Sequence, residues 1–335
     1  MRNDMHTLVQ AAQLYYEQGL TQADIGRHLS ISRSTVSRLL QDARDSGIVR
    51  IIISYPWKRD AELEAQLCAQ FALREVRVLS AEEGPDGQAG GELGGETEGE
   101  AITYDGIGAL AATYLDEFVR PAMTMGVSYG RSIASTIRHL NPIRSVDMTF
   151  VQILGALNSG NPLIEGPDLV RQIAAKYEAA YKYLYVPMIV ENTRTRDLLL
   201  QELSVQSTLL SGRNADAVIL GIGAHVADAS GLIWTGYLNH KELSFLQARG
   251  AVGHMCAQHY DAQGNVLDVE FNQRVISIGI QALRNIDTVI AVAGTKEKAM
   301  AILGALRGQY LDVLITDAAA AQEVLRLNSK LALTH

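Results

Sequence analysis

Residues 21–47, TQADIGRHLSISRSTVSRLLQDARDSG, read as two short helices joined by a tight turn. Thr21 is a good N-cap for the first, in which Ile25 and Leu29 form one apolar edge before a turn at Ser30, Ile31 and Ser32. Ser32 caps a second helix that runs to about Ser46 and stops at Gly47. On this second helix Val36, Leu39, Leu40 and Ala43 fall within an arc of roughly 100° at the helical period, which fixes the packed face. The opposite arc offers Arg33, Ser34, Ser37, Arg38 and Gln41, with Thr35 at its margin and Gln22 at the start of the preceding helix. Such side chains fork onto guanine, pair with adenine or grip phosphate. A helix-turn-helix sets the N-terminal residues of its second helix against base edges, so this arc is the predicted DNA-reading face.

Working outward, Asp4 to Gln18 reads as a supporting helix ended by Gly19. Beyond Gly47 the β-branched run IVRIIISYP reads as a wing strand. Residues 1–56 carry six arginines against five acids, about +1, whereas the whole chain has a net charge of -8. The overall charge argues against indiscriminate coating of nucleic acid, so operator contact must come from a local patch.

With 335 residues, 47% of them hydrophobic, the chain can bury a large core beside this small module. The expected organisation is a DNA-binding domain over 1–56, a linker or oligomerisation helix over 57–74, and an effector-binding domain over 75–335. No run of 18 or more apolar residues occurs and MRNDMHTLVQ has no leader pattern, so a soluble, cytoplasmic protein with no membrane partner is expected. Cys68 and Cys256 lack ligand or disulfide spacing; no metal and no cofactor are predicted. The helix around Leu63, Leu67 and Phe71 either packs on the large domain or pairs with a second subunit. Residues 82–100 mix glycines and acids with no lysine or arginine, which predicts a mobile loop. Its acids lack EF-hand spacing.

From Ala101 onward, helical stretches alternate with the apolar runs AMTMGVS, MTFVQILGA, YLYVPMIV, DAVILGIGA, TVIAVAG and DVLITD. Strands buried on both faces and separated by helices predict an open, mainly parallel, doubly wound α/β sheet. Ligands in such sheets sit beyond the carboxyl ends of the strands. The first end, Gly126-Val127-Ser128-Tyr129-Gly130-Arg131-Ser132, leads into a helix whose N-terminal amides would hold an anion, with Ser128, Arg131 and Ser132 as extra donors. The same letters match G-x-S-x-G, the nucleophile elbow of hydrolases, with Asp228, His254 and His259 as candidate partners. Further ends are Gly155 with Asn158, then Gly221-Ile222-Gly223, and then Gly294-Thr295-Lys296-Glu297-Lys298, where Thr295 and Lys298 would complete an anion site.

The run LYYEQGLTQADIGRHLSISRSTVSRLLQDARDSGIVRI closely resembles the DNA-binding module of the SorC/DeoR group of bacterial sugar-responsive regulators. GAVGHMCAQHYDAQGNVL, NQRVISIG and AVAGTKEKAMAILGALRGQYLDVLITD are similar, in order, to segments of the SorC-type effector domain. The resemblance implies a winged helix-turn-helix joined to a Rossmann-like domain related to sugar-phosphate isomerases, with phosphorylated sugars as effectors. It also implies ligand contacts from the GVSYGRS corner, from Asp261 before Gly264, from the Gly294 to Lys298 turn, and from Arg274, which could equally be a structural ion-pair partner. Gly26 stands where an alanine is common, His254 where an acid is frequent, and Thr295 where a second glycine is common. The leading expectation is a non-enzymatic transcription regulator of a carbohydrate operon, controlled by a phosphorylated sugar or sugar alcohol. The alternatives are a hydrolase using Ser128 and a sugar-phosphate isomerase with an accessory DNA module. One module reads only half a site, so a homo-oligomer is expected, a dimer or, by the resemblance, a tetramer.

Overall fold

The structure is a computed structural model that describes residues 5–49, 57–81, 98–157, 164–224 and 238–332. The predicted wing strand beyond Val49, most of the acidic loop (82–97), Asn158 and Asp228 lie outside the described residues. The chain divides into two compact units, residues 1–55 and 56–335.

The N-terminal unit is helical. Helix α1 (Met5–Ala12) continues through a π-helical turn, Gln13–Glu17, and the chain leaves it through Gly19 at φ +68°. Helix α2 (Gln22–Leu29) begins where the Thr21 hydroxyl accepts the Asp24 N–H, at 3.2 Å. Ser30 turns the chain at φ +56°, and the Ser32 hydroxyl accepts the Thr35 N–H at 3.1 Å to start α3 (Arg33–Asp45). Each cap satisfies a backbone donor that a helix start otherwise leaves orphaned. Leu8, Ala11, Leu14, Ile25, Val36, Leu39, Leu40 and Ala43 form the buried core. A Cβ on Gly26 would stand 2.8 Å from the Ile31 carbonyl oxygen, so the glycine lets the turn fold tightly back over α2.

The C-terminal unit begins with α4 (Ala61–Phe71), whose Leu63 and Leu67 are buried in the large core, so the helix packs on its own domain through these residues. A seven-stranded parallel sheet follows from β1 (Glu75–Leu79), β2 (Thr124–Val127), β3 (Thr149–Gln152), β4 (Ala180–Lys182) and β5 (Ala217–Gly221). Its remaining strands are β9 (Thr288–Val292) and β10 (Val313–Asp317), and the order is β1-β10-β9-β5-β2-β3-β4. Residues of β9 and β10 are buried throughout, as strands covered on both faces must be. Helices α5 (Glu98–Phe118), α6 (Arg131–His139) and α7 (Gly166–Tyr177) supply the core on one face through Ile107, Leu115, Ile133, Ile137 and Ile173.

On the other face α4 is joined by further helices. Short α8 (Thr193–Leu199) precedes α9 (Leu203–Arg213). After β6 (Gly223–Ala224) come α10 (His240–Ala248) and a hairpin of β7 (Gly253–Met255) and β8 (Gln258–Tyr260), which pairs with β6 as a small antiparallel sheet. The single turn α11 (Glu270–Gln273) leads on to α12 (Ala299–Arg307) and α13 (Ala318–Ala332).

Three expectations need correction. β1 is not among the predicted strands, because Glu75 and Arg77 interrupt its apolar pattern; Arg77 is 6% exposed and bonded to Glu75 and Glu117. The run YLYVPMIV is not a sheet strand: β4 ends at Lys182, and this stretch makes isolated bridges at Pro187 with Ala156 and at Ile189 with Val275. The segment 82–100, predicted as a loop throughout, already belongs to α5 from Glu98.

Candidate functional site

Between β2 and β5 the winding of the sheet reverses, since β3 and β4 lie to one side and β9, β10 and β1 to the other. Strand ends diverge at such a switch point and leave a crevice. Here it is a cleft of about 660 Å³, open solvent at its mouth included. Its described lining comprises the corner Ser128–Ser132, Gly221–Gly223 at the end of β5, His254–Ala257 from the β7–β8 hairpin, Leu157, Ile164 and Lys298.

One end of the cleft gathers groups that can hold an anion. Helix α6 starts at Gly130, at φ +114°, a residue with no side chain to cap the helix. Those donors and the positive end of the helix therefore face the corner where Ser128 and Ser132 are buried. Lys298 is only 7% exposed and no carboxylate of the described residues pairs with it. Its ammonium lies 5.2 Å from the centre of the Tyr104 ring, and the Arg131 guanidinium lies 4.6 Å from the same ring. The other end of the cleft is apolar, with Ile222, Met255 and Cys256. Burial pushes the Cys256 thiol up to about 12, so it stays a protonated, inert wall.

The turn that carries Lys298 is held from β10. Asp317 Oδ2 accepts the Thr295 N–H at 2.5 Å, while Oδ1 accepts the Ala320 N–H at 3.0 Å and so caps α13. A Cβ on Gly294 would fall 2.5 Å from the same carboxylate oxygen. Thr295 occupies φ +79°, ψ 143°, a conformation that suits glycine, so the residue departing from the family pattern carries backbone strain. Thr295→Gly is expected to raise stability by about 1 kcal/mol, read from urea unfolding. An unchanged midpoint would show that the turn is unstrained.

The other predicted ligand residues divide between the cleft wall and places away from it. Gly126 sits inside β2, where a Cβ would meet Ile153 and Val218 at 2.6 and 2.8 Å. Gly155 lets the chain pass Pro187, whose carbonyl would stand 2.4 Å from a Cβ. Gly223 lines the cleft, but its lack of a side chain makes room for the His254 ring, whose Nε2 would stand 2.0 Å from a Cβ. Gly221 has no such neighbour and borders the cleft freely. Asp261 turns both oxygens on its own loop, accepting from Gln263 N, Asn265 N and Asn265 Nδ2. Arg274 donates to the Glu191 carbonyl and stacks on Phe271, which supports the structural alternative. Tyr104, Asp317 and the hairpin residues Met255–Ala257 are not predicted by the sequence. Of these, only Asp317 carries a local signal, an acid between an apolar strand and an alanine-rich helix.

Ser128 does not have the geometry of a hydrolase elbow. It is absent from the residues at positive φ, and the strained position of the corner is Gly130.

In the N-terminal unit Arg33, Ser34, Ser37, Arg38 and Gln41 are exposed along one side of α3, with Thr35 and Gln22 half-buried. Ser34 and Thr35 hydroxyls each lie 2.8 Å from the capping Ser32 hydroxyl. The Gln41 amide bridges Asp45 and Arg44. Among the described residues Arg33 and Arg38 have no carboxylate partner, which leaves their charge available to phosphate or guanine. No helix of the described residues is long and apolar enough to cross a membrane.

A helix-turn-helix with a polar reading face, in a chain that also holds a doubly wound domain with a cleft lined by Arg131 and Lys298, defines a DNA-binding regulator with a second, ligand-sized cleft. Comparison with known proteins agrees. Residues 55–326 match the family described as "Putative sugar-binding domain", and residues 10–46 match sigma-70 region 4. The chain is 30% identical to the sorbitol operon regulator of Klebsiella pneumoniae over 335 residues, covering 97% of this chain and 99% of that one. It is 29% identical to the deoxyribonucleoside regulator of Bacillus subtilis, covering 97% and 98%. The crystal structure of the full-length Klebsiella regulator, SorC, superposes with a TM-score of 0.72 over 97% of this chain and 100% of that chain. The chain belongs to the SorC/DeoR family of transcriptional regulators, with an N-terminal helix-turn-helix and the C-terminal domain that this family model describes. These relatives are transcriptional regulators and not enzymes, and the hydrolase and isomerase alternatives fall with them.

Proposed function

We propose that the chain controls a carbohydrate catabolic operon in the cytoplasm, and that a phosphorylated sugar or sugar alcohol in the switch-point cleft sets its affinity for operator DNA. In this reading residues 1–56 bind DNA, residues 57–74 connect, and residues 75–335 hold the effector. Arg33, Ser34, Thr35, Ser37, Arg38 and Gln41, with Gln22, face the operator. Ser128, Tyr129, Gly130, Arg131, Ser132 and Lys298 hold the phosphate. The observation that carries the reading is the convergence of the α6 N-terminus with Lys298 and Arg131 at the strand ends. The names of the relatives, which point to sorbitol and deoxyribonucleosides, support a small polyol or sugar as the remainder of the ligand.

A ligand shifts DNA affinity only if it binds two conformations unequally, and DNA then shifts ligand affinity by the same factor. Two or more copies are expected on the operator, because the nearly neutral module gains useful affinity from linkage to a second. The test is a thermal-shift screen of phosphorylated and free sugars, followed by operator titration at fixed salt with each compound that protects. A compound that stabilises the protein and changes operator affinity several-fold is the expected result. A protein stabilised only by unphosphorylated sugars, or one whose operator affinity no bound sugar alters, refutes it.

A further inference from the structure

We propose that Tyr104 is a positioning residue of the anion site, a single aromatic brace that holds Arg131 and Lys298 together in the absence of ligand. The proposal rests on the reading of the cleft as an anion site. The two cations come from corners far apart in sequence, Arg131 from the start of α6 and Lys298 from the turn before α12. Two like charges gathered in one cleft repel, and no carboxylate of the described residues pairs with the buried Lys298. An aromatic ring attracts a cation within about 6 Å of its centre, and more strongly when water is excluded. Tyr104 is 4% exposed and has both cations inside that range, at 4.6 and 5.2 Å. Its hydroxyl also accepts from Arg131 Nη2 at 3.3 Å.

The ring is itself fixed by the helix that bears it. On α5, Gly108 lies so close to α6 that a Cβ would meet the Ser135 hydroxyl at 2.3 Å. On the neighbouring side, Thr103 and Ile107 stand 3.4 and 3.1 Å from where a Cβ of Gly294 would lie. Helix α5 therefore touches both corners, and Tyr104 projects from the stretch between those contacts. The arrangement spares an incoming phosphate the cost of collecting two flexible cationic side chains.

The experiment measures binding of inorganic phosphate to the full-length chain by calorimetry, with melting curves for every variant. Tyr104→Phe keeps the ring and is expected to bind within about twofold of the parent, whereas Tyr104→Leu loses about tenfold. Mono-, di- and trifluorophenylalanine at position 104 keep shape and withdraw π density, so affinity should fall stepwise along the series at constant melting temperature. This series also serves if the leucine variant fails to fold. Equal binding by Tyr104→Leu, or a flat fluorination series, overturns the brace while leaving the anion site intact. If the parent chain does not bind phosphate, or Lys298→Met binds it equally well, the anion-site reading fails and the brace with it.

Discussion

Lys298→Met is expected to weaken phosphate binding in the cleft by at least about tenfold and, without ligand, to raise the melting temperature of the C-terminal unit. The two halves of this result have one cause. A hydrogen bond between charged groups contributes about 1.5–3 kcal/mol, which corresponds to roughly ten- to hundredfold in affinity. The same ammonium, 7% exposed and without a carboxylate partner among the described residues, is a cost to the empty protein. Methionine fills nearly the same volume and carries no charge, so the empty unit should gain a few degrees. Calorimetric titration with inorganic phosphate and melting curves of the same preparation check both parts. A variant that loses stability together with affinity would show that Lys298 supports the fold, and the site would have to be placed elsewhere.

The parts of the molecule that were legible in the sequence are those whose signals are local. The helix-turn-helix could be read from Thr21, Ser32, Gly47 and one apolar stripe because caps and helical periodicity act within a few residues. β2, β3, β5, β9 and β10 could be read from continuous apolar runs, which burial on both faces requires. β1 escaped because a buried arginine breaks the run, and that arginine is paired with Glu75 within the strand and with Glu117, 40 residues away. The β6–β7–β8 sheet has strands of two or three residues, too short for any period to show.

The cleft divides in the same way. Its Ser128–Ser132 corner is a contiguous motif, and Lys298 follows a glycine turn at a strand end. Tyr104 carried no signal, because its role depends on a helix crossing that brings position 104 beside positions 131 and 298. The glycines misled for a related reason. Gly126, Gly155 and Gly223 answer to neighbours that only the tertiary structure supplies, and a strand-end glycine looks the same whether it makes room for a ligand or for His254.

Asp317→Ala is expected to cost about 2–4 kcal/mol of unfolding free energy and to lower phosphate affinity as well. The carboxylate accepts two backbone N–H groups, one at the strained Thr295 and one at Ala320 in the first turn of α13, both buried. Alanine leaves each donor without its partner, and an unsatisfied buried donor costs about 1–3 kcal/mol. Loss of an N-cap of this kind alone costs about 1 kcal/mol. The second effect follows from the first, because the Thr295 bond is what holds the turn that presents Lys298. Asp317→Asn should fall between parent and alanine, since its carbonyl oxygen can still accept one of the two bonds. The decisive comparison is the double variant with Thr295→Gly. Glycine adopts the turn conformation without strain, so the clamp has less to hold, and Asp317→Ala should cost less in that background than in the parent. Urea unfolding of the four chains gives the coupling directly. Strict additivity would mean that Asp317 acts only as a helix cap and has no part in holding the turn that presents Lys298.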